Sequence, residues 1–176
     1  RKQLAVLVEQ LGGCDVLLIN AGVGYPKATY EQELETVDIN ARGFMALAHW
    51  GFEYFKSVGK GHLAAVSSVA GQRSSPYSPE YHATKAFMYS YLEGLHLRTL
   101  KWYPAIHVTD IRPGFVATPM TEHNKKMFWV ASPQKAAQQI ASAIEHKKPV
   151  AYITKRYVLV AWLMKLLPTW LYSKVL

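Results

Sequence analysis

The stretch Val16-Leu17-Leu18-Ile19-Asn20-Ala21-Gly22 sets four consecutive apolar residues against a turn. An apolar run of that length reads as a short strand buried on both faces of a sheet. Asn20-Ala21-Gly22 stops it. The same pattern recurs downstream. His62 to Ser67 (HLAAVS) reads as a second buried strand, and Ile106 to Ile111 as a third, broken by Arg112-Pro113-Gly114. Val150 to Ile153 reads as a short fourth. Between the strands lie longer stretches with helical periodicity. One runs from about Glu31 to the stop at Gly59-Lys60-Gly61, with Leu34, Phe44, Leu47, Phe52 and Phe55 as candidate core positions. Another runs from Tyr81 to Leu100. A third opens at Ser132-Pro133, with Ser as N-cap and Pro in the first helical position. Its apolar stripe is Ala136, Ala137, Ile140, Ala143 and Ile144. Leu4, Leu7, Val8 and Leu11 fall at helical spacing at the start of the chain. Strands alternating with helices predict an α/β fold, a doubly wound, Rossmann-like parallel sheet covered on both faces.

The chain has 176 residues, enough for one domain with a real core. Half of the residues are hydrophobic and 18% are charged, which excludes a disordered chain. The single cysteine, Cys14, excludes an internal disulfide and fits a reducing, cytoplasmic compartment. The net charge is +8, yet there is no basic run of five, no Cys/His zinc spacing and no RNA-binding aromatic motif. Nucleic acid is therefore not an expected partner. No His-Glu-x-x-His occurs, so no metal site is expected, and no Gly-x-Ser-x-Gly nucleophile turn is present.

In an open parallel sheet, ligands bind beyond the carboxyl ends of the strands. Several polar motifs fall there in order. Asn20-Ala21-Gly22 follows the first strand, Ser67-Ser68-Val69-Ala70-Gly71 closes the second, and Pro113-Gly114-Phe115-Val116-Ala117-Thr118 follows the third. Tyr81 and Lys85 lie on the helix after the second strand, four residues apart and so on one face. A Tyr-x-x-x-Lys pair arises about once by chance in a chain this rich in both residues, so its value lies in the company it keeps. The pair suits proton transfer to a carbonyl that accepts hydride. A free phenol has a pKa of ~10, too high to cycle near neutrality. A lysine ammonium ~4 Å away supplies about 4 kcal/mol at an effective dielectric of ~20, enough to lower it by two to three units.

As a set, Asn20-Ala21-Gly22, Asn40, Ser68, Tyr81 with Lys85, and Pro113-Gly114 with Thr118 resemble the short-chain dehydrogenase/reductase family. The Ser68-to-Tyr81 gap is the spacing that family favours. The resemblance runs from about Val16 to about Thr118. It implies an oxidoreductase that moves a hydride between NAD or NADP and a carbonyl or secondary alcohol, as a carbonyl reductase does. It implies Tyr81 as acid/base and Lys85 bonded to the nicotinamide ribose. Ser68 (or Ser67) would donate to the substrate oxygen, and Asn40 would hold a relay water. Tyr81, Lys85, Pro113, Gly114, Val116 and Thr118 would hold the nicotinamide half, and Asn20, Ala21 and Gly22 would flank the adenosine side. His82 would be structural. The loops carrying Pro76, Tyr77 and Pro79, and Met120, Met127, Phe128 and Trp129, would wall a lipophilic substrate pocket, or else seal the core or a dimer face. Family members commonly pair the helices from Glu31 and Tyr81 in dimers or tetramers, which makes a homo-oligomer an expected partner.

Two departures from the family pattern stand out. Gly22-Val23-Gly24 lacks the third glycine of a phosphate-binding turn and follows the wrong strand. The expectation is an N-terminally truncated chain that binds cofactor poorly by itself, its residues 1–154 forming the carboxyl-terminal portion of the oxidoreductase domain. Residues 155–176 form an apolar and basic helical extension of the same domain. Tyr157 to Met164 is apolar on every side, Lys165 interrupts and Pro168 breaks the helix, and no acid occurs from His146 to Leu176. That segment is too short to span a bilayer, which needs about 20 apolar residues. Two readings stay open: a helix over the substrate pocket or a subunit contact, and a helix lying peripherally at a membrane interface. A non-catalytic binding or scaffolding protein on the same fold is the rival functional reading.

Overall fold

The computed structural model describes residues 2–122 and 127–174. Four strands, β1 (Val16–Ile19), β2 (Gly61–Val66), β3 (Ile106–Pro113) and β4 (Val150–Ile153), form one parallel sheet in the order β1-β2-β3-β4. A helix α1 (Lys2–Gln10) precedes β1. The first crossover carries α2 (Tyr30–Val37), a π-helical turn (Asp38–Gly43) and α3 (Phe44–Val58). The second carries a 3₁₀ turn (Val69–Gln72) and α4 (Pro79–Trp102), and the third carries α5 (Pro133–Glu145). Two further helices, α6 (Tyr157–Leu166) and α7 (Thr169–Tyr172), follow β4. This is the expected parallel α/β architecture.

Strand side chains alternate between faces, and the core divides accordingly. Leu63, Ala65 and Val108 pack with Phe44, Phe52 and Phe55 of α3 and Met88, Leu92 and Leu95 of α4. Ala64, Ile111 and Ile153 face the other way, onto Ala136 of α5. The helix starts follow local chemistry. Thr29 caps α2 and shares a reciprocal capping box with Gln32, a Thr-x-x-Gln signal that the periodicity reading passed over. Ser132 caps α5 ahead of Pro133, as read from the sequence.

Several expectations are corrected. β1 is not buried on both faces: Val16 is 46% and Leu18 43% exposed. Among the described residues β1 pairs only with β2, so it is an edge strand, and an apolar run does not reveal whether a neighbour covers it. Leu34, a candidate core position, is 48% exposed, and Ala137 of the apolar stripe in α5 is exposed as well. The long helix from Glu31 is not uniform either, because the π-helical turn at Asp38–Gly43 divides it. That turn carries Asn40 inward, where it is fully buried.

The end of α3 is set by Gly59, whose φ of 81° is the left-handed conformation that ends helices. Gly61 opens β2 at φ 150°, and a Cβ there would lie 1.9 Å from Phe55 Cδ1. Phe55 is fully buried and cannot yield. Gly61→Ala is therefore expected to destabilise the fold by about 2 kcal/mol. A urea titration checks it: an unshifted midpoint would contradict the packing described.

Candidate active site

The carboxyl ends of β1, β2 and β3 converge with the start of α4, and the candidate residues meet there. The loop after β1 folds back over the first turns of α4. Asn40 holds it: Val23 N–H donates to Asn40 Oδ1 (2.9 Å), and Asn40 Nδ2 donates to Val23 O (2.7 Å) and to Thr84 Oγ1 (3.3 Å). Thr84 Oγ1 in turn donates to Tyr81 O (2.8 Å). Both amide hydrogens of Asn40 are thus taken, and its side chain anchors the loop. A relay water on Asn40 would have to rest on an oxygen atom.

The backbone of that loop approaches closely. A Cβ at Gly22 would stand 3.3 Å from Asn40 Oδ1 and 3.4 Å from Lys85 Nζ. A Cβ at Gly24 would stand 2.7 Å from Tyr81 Cδ2. Gly22 and Gly24 therefore let the loop backbone lie directly against Lys85 and the Tyr81 ring, where a side chain would be crowded out. Asn20 and Ala21 are exposed at the lip.

On the other side, Ser68 ends β2 and caps the 3₁₀ turn, accepting from Ala70 N–H (3.1 Å). The Ser68 side chain acts on the Tyr81 phenol, working against the rise in its pKa. Gly71 lets this turn lie on α4, since a Cβ there would meet the Lys85 carbonyl at 2.8 Å. His82 fastens the same loop. Its Nδ1 lies 2.8 Å from Ala70 O and 2.7 Å from Arg73 O, and two carbonyl neighbours require that nitrogen to carry the proton. The structural role expected of His82 is what it performs. Ser67, the runner-up to Ser68, is buried and donates to Asp110 Oδ1 and to Ile111 O (3.0 Å), turned away from the cleft.

Lys85 is 4% exposed. Its ammonium donates to Val66 O at the end of β2 (3.2 Å) and lies 5.6 Å from the Tyr81 ring centroid. Burial lowers its pKa to about 8, and the charge of Asp110 works against that fall. Tyr81 departs from expectation. Burial raises its pKa, the Ser68 hydrogen bond opposes the rise, and Lys85 contributes nothing resolved. The ammonium sits over the ring edge and on a carbonyl rather than at the phenol oxygen. The phenol is accordingly held protonated.

The depressed pKa of Lys85 carries a stability signature. Below about 8 the native state must bury the cation, whereas the unfolded chain keeps it solvated up to about 10.5. Stability is expected to rise by up to about 3 kcal/mol as pH climbs from about 8 to about 10.5 and to fall back over the same range as pH drops, with no further change from this group below 8. Lys85→Met should abolish that rise in urea titrations at pH 7 and pH 10. An equal slope in both proteins would rule out a buried cation at this position.

Behind the cleft lies a network that the motif reading missed. Arg112 Nε donates to Asp110 Oδ2 (2.6 Å) and Nη1 to Tyr152 Oη (3.2 Å), while the guanidinium stacks 3.6 Å from the Tyr89 ring centroid. Tyr89 Oη donates to Ser68 O. The signal was available, because an Asp between the apolar positions of a strand read as buried must find a partner. Past β3, Pro113 and Gly114 lie half-buried under α6: a Cβ at Gly114 would stand 2.1 Å from the Tyr157 ring. Val116 pairs with Ala131, and Thr118 N–H donates to Thr121 Oγ1 (3.2 Å). Among the described residues no group of three His, Cys, Asp or Glu could hold a metal ion.

A family model described as short chain dehydrogenase matches residues 1–129. The chain belongs to the short-chain dehydrogenase family. A sorbose reductase of Schizosaccharomyces pombe is 30% identical over 157 residues, covering 83% of this chain and 59% of that protein. An uncharacterized oxidoreductase of Myxococcus xanthus is 31% identical over 127 residues, covering 70% of this chain and 49% of that protein. The chain thus spans less than two thirds of the length of either short-chain dehydrogenase relative. Among solved structures, a 3-ketoacyl-(acyl-carrier-protein) reductase from Brucella melitensis complexed with NADH superposes with a TM-score of 0.73. It is 24% identical and covers 85% of this chain and 69% of that one, a likeness of fold. An NADPH-dependent 3-quinuclidinone reductase from Rhodotorula rubra superposes at 0.61, with 26% identity, covering 70% of this chain and 48% of that one.

Proposed function

We propose that the protein reduces a carbonyl, or oxidises the corresponding secondary alcohol, with NAD or NADP. The observation that carries this reading is the Tyr81 phenol, kept protonated by burial, with Lys85 Nζ 5.6 Å from its ring centroid and the Ser68 side chain acting on it. Bound NAD(P)H would supply the hydride. Lys85 and Tyr81 would hold its nicotinamide ribose. Pro113, Gly114, Val116 and Thr118 would contact the carboxamide, and Asn20, Ala21 and Gly22 would border the adenosine side. No Gly-x-Gly-x-x-Gly phosphate turn occurs in these 176 residues, so they supply no cradle for the pyrophosphate.

Charge develops on the substrate oxygen as hydride arrives. Ser68 Oγ donates to that oxygen, a dipole fixed in advance by the 3₁₀ turn. Tyr81 Oη delivers the proton. The phenolate left behind is stabilised by the Lys85 ammonium, which needs only a side-chain rotation from Val66 O to approach it. Asn40 keeps the 22–24 loop seated against the Tyr81 ring.

Phe128 is 46% and Trp129 44% exposed, and with Tyr77 and Met120 they offer apolar surface near the cleft, which favours a lipophilic substrate. Exposed Val37, Met45, Phe87 and Leu97 on the α2–α4 face favour pairing of two copies. Residues 1–154 act with 155–176 as one domain, consistent with the Arg73 contacts to the terminal helices. The test is oxidation of NADPH and NADH by the protein across a panel of aliphatic, aromatic and sterol-like ketones and aldehydes. Carbonyl-dependent turnover is expected; none with any carbonyl or alcohol would sink the reading.

A further inference from the structure

Helix α6 is apolar all round, but only one side of it meets the protein. Tyr157, Ala161 and, more loosely, Met164 form the inward stripe, and Tyr157 and Ala161 are buried. A second stripe at the same helical spacing faces outward. Leu159 is 66% exposed, Trp162 65%, Leu163 57% and Leu166 70%, and Trp170 of α7 adds 65%. Single exposed apolar residues need no explanation, but four large ones in one helical register, with Trp170 of the next helix beside them in sequence, do.

The charges around this stripe are all of one sign. Lys155 and Arg156 precede α6, Lys165 sits on its flank, and Lys174 Nζ lies 5.7 Å from the Trp170 ring centroid. Arg156 lies 5.9 Å from the ring of Trp129, itself exposed, so the patch continues onto the 128–130 loop. From His146 to Leu176 the sequence holds no carboxylate. Among the described residues no helix is long and apolar enough to cross a membrane.

We infer that the outer face of α6, with Trp170, is a docking surface for an anionic lipid bilayer, on which the helix lies in the interfacial plane. An apolar stripe with indoles and a purely basic border complements acyl chains beneath negatively charged headgroups. It fits a second copy of this chain poorly, because two such faces would bring cations together without a single acid between them. The inward stripe and the Arg73 contacts stay in place on docking, so nothing must unfold. The inference stands apart from the proposed chemistry: it concerns adsorption and is read without turnover.

The test is co-sedimentation of the 176-residue chain with vesicles of phosphatidylcholine alone and with about 30% phosphatidylserine. The anionic vesicles are expected to bind it much more tightly. Trp162→Ser with Leu166→Ser should weaken binding about tenfold or more. Lys155→Gln with Lys165→Gln should weaken it about twenty-fivefold on anionic vesicles only, from about fivefold per cation. Leu7→Ser with Leu11→Ser, exposed at the start of the chain, should change nothing. Circular-dichroism melts identify any variant that fails to fold, and the two lines of substitution are independent, so one suffices. Binding indifferent to lipid charge, or unchanged in both α6 variants, overturns the inference. So does a concentration-dependent dimer in sedimentation velocity that Trp162→Ser with Leu166→Ser abolishes in a chain without lipid affinity.

Discussion

Tyr81→Phe is expected to lower kcat for carbonyl reduction by about 10²–10⁴-fold, with KM little changed. The variant removes one oxygen and keeps the ring. The ring is what holds its surroundings in place: Gly24 packs on it, and His82 meets it edge to face at 6.0 Å. Folding should therefore survive. What goes is the phenol proton that the proposed mechanism delivers to the substrate oxygen. The loss should appear in single-turnover rates as well as in kcat, because it lies in the chemical step. Wild-type rates in this variant would assign the proton to another group, and melting temperatures measured in parallel would show whether the comparison is fair.

Asp110→Asn is the second large effect, expected to cost about 3–5 kcal/mol of stability. Asp110 is 3% exposed and receives hydrogen bonds from Arg112 and Ser67. Burial pushes its carboxyl upward, while Arg112, Ser67 and Lys85 pull it back. Asparagine keeps the shape but leaves a guanidinium at 16% exposure with no counter-charge. The effect should also reach the cleft. Asp110 is the group that opposes the fall of the Lys85 pKa, so without it that pKa should drop below about 8. If Lys85 must be an ammonium during turnover, the alkaline limb of the kcat/KM profile should move to lower pH in Asp110→Asn. A limb that stays in place while stability falls would confine Asp110 to a structural role.

The parts of the molecule legible in the sequence were those with a local code. β4 falls on the expected residues, β2 and β3 on nearly the expected ones, and the Ser132-Pro133 start of α5 holds. The grouping of Tyr81, Lys85, Ser68 and Asn40 near one rim follows from parallel strands with motifs at their carboxyl ends. What escaped was non-local. Asp110 and Arg112 lie two apart on one strand, an unremarkable spacing until Tyr89 and Tyr152 close around the guanidinium from other elements. The π-helical turn at Asp38–Gly43 has no apolar periodicity to mark it, and only Val23, seventeen residues away, explains why Asn40 turns inward. The position of Lys85 was misjudged because helical spacing puts two side chains on one face without saying which atoms meet. Val66 O at the sheet edge competes for the ammonium, and at rest it wins.

Arg73 deserves a last consequence. Its guanidinium donates to Met164 O and Leu167 O, reaches Thr169 Oγ1 at 3.1 Å, and lies 4.2 Å from the Tyr172 ring centroid. It sits five residues beyond Ser68, so a proteolytic nick or fused tag near residue 155 would be felt at the serine hydroxyl as slackening of its loop. Tags intended to leave catalysis untouched therefore belong at the opposite terminus.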